Sequence, residues 1–138
     1  MSVTHGKRVH FQWEVDHNQL KIINQRGKAH NYRLDEIVAI LDWLSKEFGQ
    51  RWFPLANNVA KLGKGTKKPG LGTAILDQAP GDITHAQGAS YLGVVLDEVG
   101  IFSWNGVNRG IKWRLIKEVK NKEDLRQILE GSSQRNQQ

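Results

Sequence analysis

From Val9 to Val15 (VHFQWEV) apolar and polar residues alternate, which sets Val9, Phe11, Trp13 and Val15 on one face. A period of two in β-branched and aromatic residues predicts a half-buried strand. Asp16-His17-Asn18-Gln19 supplies turn residues, and Leu20 to Asn24 (LKIIN) reads as the returning strand. A second turn at Gln25-Arg26-Gly27-Lys28 leads into a short third strand, Ala29 to Tyr32. The chain therefore opens on a β-hairpin or meander over 9–33. At Leu34 the period changes. Leu34, Ile37, Val38, Leu41, Leu44 and Phe48 recur at three and four, which predicts a helix over 34–48. Asp35 and Glu36 suit the positive end of its dipole, Lys46 suits the last turn, and Gly49 suits the left-handed cap.

Past this helix the signals shorten. Trp52-Phe53-Pro54 anchors the next segment, and Leu55, Val59 and Leu62 suggest two short helical turns. Gly63 to Gly72 (GKGTKKPGLG) is rich in glycine and cations, and excludes both a helix and a central strand over most of its length. Leu71 to Gln78 reads as a short helix, closed by the turn Ala79-Pro80-Gly81-Asp82. Thr84 is a suitable N-cap for a helix reaching about Val99, with Ala89, Leu92, Leu96 and Val99 on one face. Gly88 and Gly93 each cost about 1 kcal/mol relative to alanine inside a helix, so they point to another backbone approaching closely. Gly100 ends that helix. Ile101–Trp104 and Gly110–Ile116 read as a second hairpin turning at Asn105-Gly106, with Val107, Asn108 and Arg109 able to lengthen the loop. Asn121 caps a terminal helix, 122–130, that stops at Gly131, and 132–138 reads as a disordered tail. The expected fold is α+β in a single domain over 1–131.

With 38% hydrophobic residues in 138, the chain has enough apolar material for one core. No apolar run approaches the roughly 18 residues that span a bilayer, and Met1 to His10 lacks the apolar stretch of a signal peptide. The absence of cysteine excludes disulfides, thiolate metal sites and cysteine nucleophiles. A cytoplasmic location without membrane contact is the expectation. The formal charge of +6 and pI near 9.7 favour a polyanionic partner through counterion release.

The order short helix, helix, two-stranded hairpin over Ala74 to Ile116 resembles the winged helix-turn-helix DNA-binding domain. The stretch LGVVLDEVGIF is similar to its recognition helix running into the first wing strand. SWNGVNRGIKWRLI is similar to the wing, with a glycine-bearing basic tip and an aromatic-aliphatic return strand. The resemblance covers about a third of the chain. It implies that His85, Gln87, Gly88, Ser90 and Tyr91, near the start of the helix, enter the major groove. It also implies that Arg109, Lys112 and Arg114 contact the backbone or the minor groove. Read plainly, the same residues are the solvated face of an amphipathic helix and a charged hairpin edge that resists aggregation.

Two further features bear on chemistry. Lys61, Lys64, Lys67 and Lys68 surround the 63–72 loop without an acid, as do the four cations between Arg109 and Lys117, so a basic face is favoured over scattered charge. The loop is not a P-loop, having no Gly-Lys-Ser/Thr after four spacers; a nucleic-acid backbone, a nucleotide phosphate or simple solvent exposure all suit it. Trp52 is the tryptophan least tied to a core pattern, and is free to stack on a base. Catalytic patterns are absent: the five histidines do not cluster, and neither HExxH nor GxSxG occurs. Asp77, Asp82 and His85 lie close enough in sequence for an acid–base or metal site, and a capping turn explains them equally well. The leading expectation is a nucleic-acid-binding protein, duplex DNA preferred, with no cofactor and with homodimerisation open. The alternatives are a small enzyme or phosphate-binding protein built on the 63–72 loop and His85, and a protein-interaction adaptor using the aromatic hairpins.

Overall fold

A computed structural model describes residues 2–64 and 68–136. The alternating N-terminal segment forms an antiparallel sheet in the order β1 (Ser2–Val3), β2 (His10–Asp16), β3 (Gln19–Asn24) and β4 (Ala29–Arg33). Its register brings Trp13 opposite Ile22, Val15 opposite Leu20, and Leu20 opposite Tyr32, so one face collects the apolar side chains. β1 escapes a sequence reading because two residues display no period.

α1 (Leu34–Phe48) has the predicted boundaries and buries Leu34, Ile37, Ile40, Leu41 and Leu44. The Glu36 carboxylate accepts the Arg33 backbone N–H, and Gly49 leaves the helix at φ 60°. β5 (Phe53–Pro54), unforeseen, follows as an edge strand, the position in a sheet where a proline's missing N–H is tolerated. Next come α2 (Val59–Gly63) and α3 (Leu71–Gln78), the latter opened by a reciprocal pair in which the Gly70 N–H donates to Thr73 Oγ1 and that hydroxyl donates back to the Gly70 carbonyl.

The single helix expected from Thr84 to Val99 is two. α4 (Ile83–Gln87) is capped not by Thr84, which lies inside it, but by Asp82, whose carboxylate accepts the His85 N–H. Gly88 interrupts it, and α5 (Ala89–Glu98) resumes. The cause lies in β4: the Tyr32 hydroxyl donates to the His85 carbonyl at 2.8 Å, and a Cβ at Gly88 would collide with that hydroxyl and with the His30 ring. Burial and the carboxylates of Glu36 and Asp82 hold the Tyr32 phenol far above its usual range, so it stays a donor.

β6 (Phe102–Trp104) and β7 (Lys112–Leu115) form the second hairpin, and β5 pairs with β7 to give a three-stranded sheet in the order β5–β7–β6. Asn105-Gly106 does not make a two-residue turn; Asn105 Nδ2 donates to the Gly110 carbonyl and spans a longer loop, with Gly106 and Gly110 both at positive φ. α6 (Lys122–Asn136) starts at Asn121 as expected, but Gly131 does not end it. Residues 137 and 138, the end of the expected tail, lie outside the described residues. Arg126 ties this helix to the first hairpin, donating to the His17 carbonyl and Asn18 Oδ1.

One core joins both sheets and the helices, from Phe11 and Tyr32 through Leu92 and Val95 to Phe53, Phe102 and Trp113. Among the described residues no helix is long and apolar enough to cross a membrane.

Gly93 packs against the six-membered ring of Trp113, where any Cβ would overlap the indole. Gly93→Ala should cost about 1–3 kcal/mol, the usual penalty for an extra group in a filled core. Gly131→Ala, in open helical space, should be neutral or stabilising by up to about 1 kcal/mol. Urea denaturation of the two variants checks the contrast; equal effects would mean that the Trp113 contact is slack.

Candidate nucleic-acid interface

At the junction of α4 and α5 the surface folds inward into a cleft of about 650 Å³. Gln87, Ser90 and Tyr91 form its helical wall. Asn24, Lys28 and His30 come from the N-terminal sheet and its turn, and Asn57 and Asn58 come from the strand exit before α2. Thr4 to Val9 and Ile111 close the remaining sides, bringing in Lys7. Among the described residues, two lysines and four amide side chains line this space, and no carboxylate does.

Local sequence explains each position. Asn24 ends β3 and holds the turn after it, its Oδ1 accepting the Arg26 and Lys28 N–H groups and its Nδ2 donating to the Tyr91 hydroxyl. Asn58 Oδ1 caps α2 through the Lys61 N–H, and Asn57 Nδ2 donates to the Gln87 carbonyl. The turn at Gly6 sits against the hairpin loop, 3.3 Å from Ile111 Cδ1 and 3.7 Å from the Asn108 carbonyl for a Cβ placed there. His5 anchors that turn: its ring stacks on Trp104 at 3.6 Å and its Nε2 is 2.6 Å from Asp97 Oδ2, which also accepts the Trp113 indole N–H. By contrast, among the described residues, the half-buried Gln87 amide and Ser90 hydroxyl have no side-chain hydrogen bond, and Lys7 and Lys28 have no ion pair.

The residues singled out in the sequence are thus divided. Gln87, Ser90 and Tyr91 do come together, but in a concavity. Tyr91 is not turned away from the core, as the winged-helix resemblance had implied; it stacks on His30 at 5.0 Å and meets Phe11 edge-on at 5.2 Å. Along residues 83–98 only Thr84 and Glu98, near the two ends, are exposed, so the helix offers no projecting face of the kind that fills a major groove. His85 does not line the cleft. Its Nε2 lies 2.5 Å from the buried Glu36 Oε2 and its ring tilts onto Tyr32, which makes it a strap between α1 and α4. Asp82 is a cap, as the plainer reading had it.

Arg109 and Lys112 are exposed on the hairpin, while Arg114 lies over Trp52 at 5.0 Å, giving that tryptophan a partner within the chain. Lys61, Lys64 and Lys68 are exposed around α2, and Lys67 lies outside the described residues. Gly70 and Gly72 of the loop serve packing rather than ligand approach: a Cβ on either would strike the backbone of Pro54 or Ala56. Lys7, Lys28 and the three asparagines were missed because they sit in turns far apart in sequence. Lys28 was visible only as a turn residue, and no spacing links it to Gln87.

Two other concavities, one between α1 and residues 115–120 and one on the outer face of the first sheet, both contain carboxylates. Among the described residues, no group of three or more His, Asp or Glu side chains could hold a metal. The chain matches no known protein-family pattern, no curated protein and no solved structure.

The His30 imidazole on the cleft wall is held below its ordinary value of 6.5, first by burial and then by the nearby Lys28 and His85. Because the folded state resists protonation there while the unfolded chain accepts it, this contribution to stability is full above pH 6.5. It is lost as pH falls through 6.5 toward the folded value. Thermal melts at pH 7.5 and 5.5 should show a larger acid loss for the parent than for His30→Phe, which keeps a ring on Tyr91. Equal losses would remove His30 from the acid response.

Proposed function

We propose that this chain binds nucleic acid, with the cleft at the α4–α5 junction as its centre and the cationic turns around it as the phosphate-contacting surface. The observation that carries the reading is the sign of the cleft: lysines and amides converge from four separate segments, and no acid accompanies them. A polyanion meets there both cations for its phosphates and hydrogen-bonding groups for whatever lies between them. The segments bordering the cleft continue the same sign, with Arg8 beside Lys7, Arg26 beside Lys28, Lys61 and Lys64 after Asn58, and Arg109 and Lys112 around Ile111.

The winged-helix-like organisation of 74–116 is supported by the succession α3, α4–α5, β6, β7, with β5 bracing the return strand of the wing. DNA is the proposed polymer and the hairpin its backbone contact. His85 is tied to Glu36, and Gly70 and Gly72 pack on the Pro54 and Ala56 backbone, which favours the nucleic-acid reading over the enzymatic one.

Fluorescence anisotropy of a labelled random duplex tests this. If Lys7, Lys28, Arg109 and Lys112 neutralise about four phosphates, log K should fall with log salt at a slope of roughly −4. The combined variant Lys7→Ala, Lys28→Ala, Arg109→Ala and Lys112→Ala should melt within a few degrees of the parent, since exposed substitutions cost little. Its slope should be much shallower. A folded parent that leaves DNA unbound at low salt would end the proposal.

A further inference from the structure

Resting on the reading just given, the geometry points to a more specific ligand for the cleft: we propose that it receives an unpaired nucleotide, with the base inside and the flanking phosphates at Lys7 and Lys28. The argument begins with shape. A helix reads duplex bases by projecting into a groove about 12 Å wide, and α4–α5 cannot project, because β4, the Thr4–Val9 turn and the Leu55–Asn58 segment rise around its junction. What remains is a hollow, into which the ligand must come. A paired base cannot enter a hollow, since its hydrogen-bonding edge is occupied and its faces are stacked; a base outside the stack can.

Size agrees. About 650 Å³ falls within the roughly 300–1,000 Å³ of sites that enclose a small molecule. Chemistry agrees as well. The Gln87 amide offers a donor and an acceptor side by side, the Ser90 hydroxyl offers either, and neither is engaged among the described residues. The Tyr91 hydroxyl accepts from Asn24, so its own hydrogen remains to donate. Half-buried polar groups without internal partners carry a desolvation cost that a base edge would offset. The two ammonium groups complete the set for a single nucleotide unit, one on the Thr4–Val9 turn and one on the β3–β4 turn. The shared chemistry is that of an unstacked base on a phosphate-linked strand, whether deoxyribo or ribo.

The test uses the full chain and four labelled probes at one salt concentration: a blunt duplex, the same duplex with a six-nucleotide deoxyribo overhang, the same with a ribo overhang, and the same with an abasic overhang. At least one natural overhang should bind roughly tenfold tighter than the blunt end, the scale of one well-placed base contact, and whichever does names the strand. The abasic overhang, with phosphates but no bases, should lose most of that gain. Gln87→Ala with Ser90→Ala should remove that gain, so that the overhanging and blunt probes bind this variant alike, and circular dichroism confirms that it folds. Gly88, Tyr32 and His30 are left untouched because they hold the fold. Equal affinity for blunt and overhanging ends overturns the cleft assignment and leaves the general proposal standing, whereas failure to bind any probe at low salt ends both. An abasic overhang as good as a natural one also overturns it, since the cleft would then be recognising phosphate alone.

Discussion

Tyr32 is buried in the middle of this molecule with its hydroxyl on the His85 carbonyl. Around that one hydrogen bond the two halves of the chain are arranged. The ring belongs to the N-terminal sheet, the carbonyl to the helical half, and Gly88 is the vacancy that lets them meet. Because the phenol cannot ionise in the accessible range, the bond persists across ordinary pH. Its geometric consequence is the break between α4 and α5, which turns a helix surface into the floor of a cleft. His85 adds a second tie on the same turn, to Glu36 of α1, so the break is fixed from two directions.

How much of this was legible depended on range. Elements with a strong local signal were read closely: α1 from its three-and-four stripe and α3 from its flanking turns to the residue, β2 from its alternation with each end displaced by one. The break at Gly88 was signalled, since a glycine at that position asks for a close neighbour, but its identity was not. Tyr32 lies 53 residues away in sequence from the carbonyl it meets, and local pattern carries no information at that distance. β1 and β5, two residues each, lack any period, and their existence is decided entirely by the partners they find. At Gly131 the loss is of another kind: a helix propensity cost of about 1 kcal/mol does not stop a helix with residues to spare on both sides.

The candidate site divides in the same way. Gln87, Ser90 and Tyr91 were found because they share a short stretch of helix, and they do share a surface. Their environment was misjudged. A helical wheel distinguishes the face toward the main core from its opposite, but not whether a second sheet will lie over that opposite face. Here the first sheet does, through His30 and Phe11 against Tyr91. Lys7 and Lys28 could be counted in the net charge, yet their convergence is a property of the tertiary structure alone. In the Gly/Lys loop, two of the glycines that composition associated with phosphate, Gly70 and Gly72, lie against backbone.

The Thr4–Val9 turn has a consequence in time as well as space. It forms one wall of the cleft, but its anchor, His5 on Asp97 and Trp104, is separated from it by more than ninety residues of chain. During synthesis on a ribosome the strands β1 to β4 emerge well before the residues that anchor this turn. The wall then waits, unanchored, until α5 and the second hairpin have also appeared. A nascent chain therefore carries its lysines in the open before it has any cleft to set them around. The finished cleft and the finished fold are completed by the same late event.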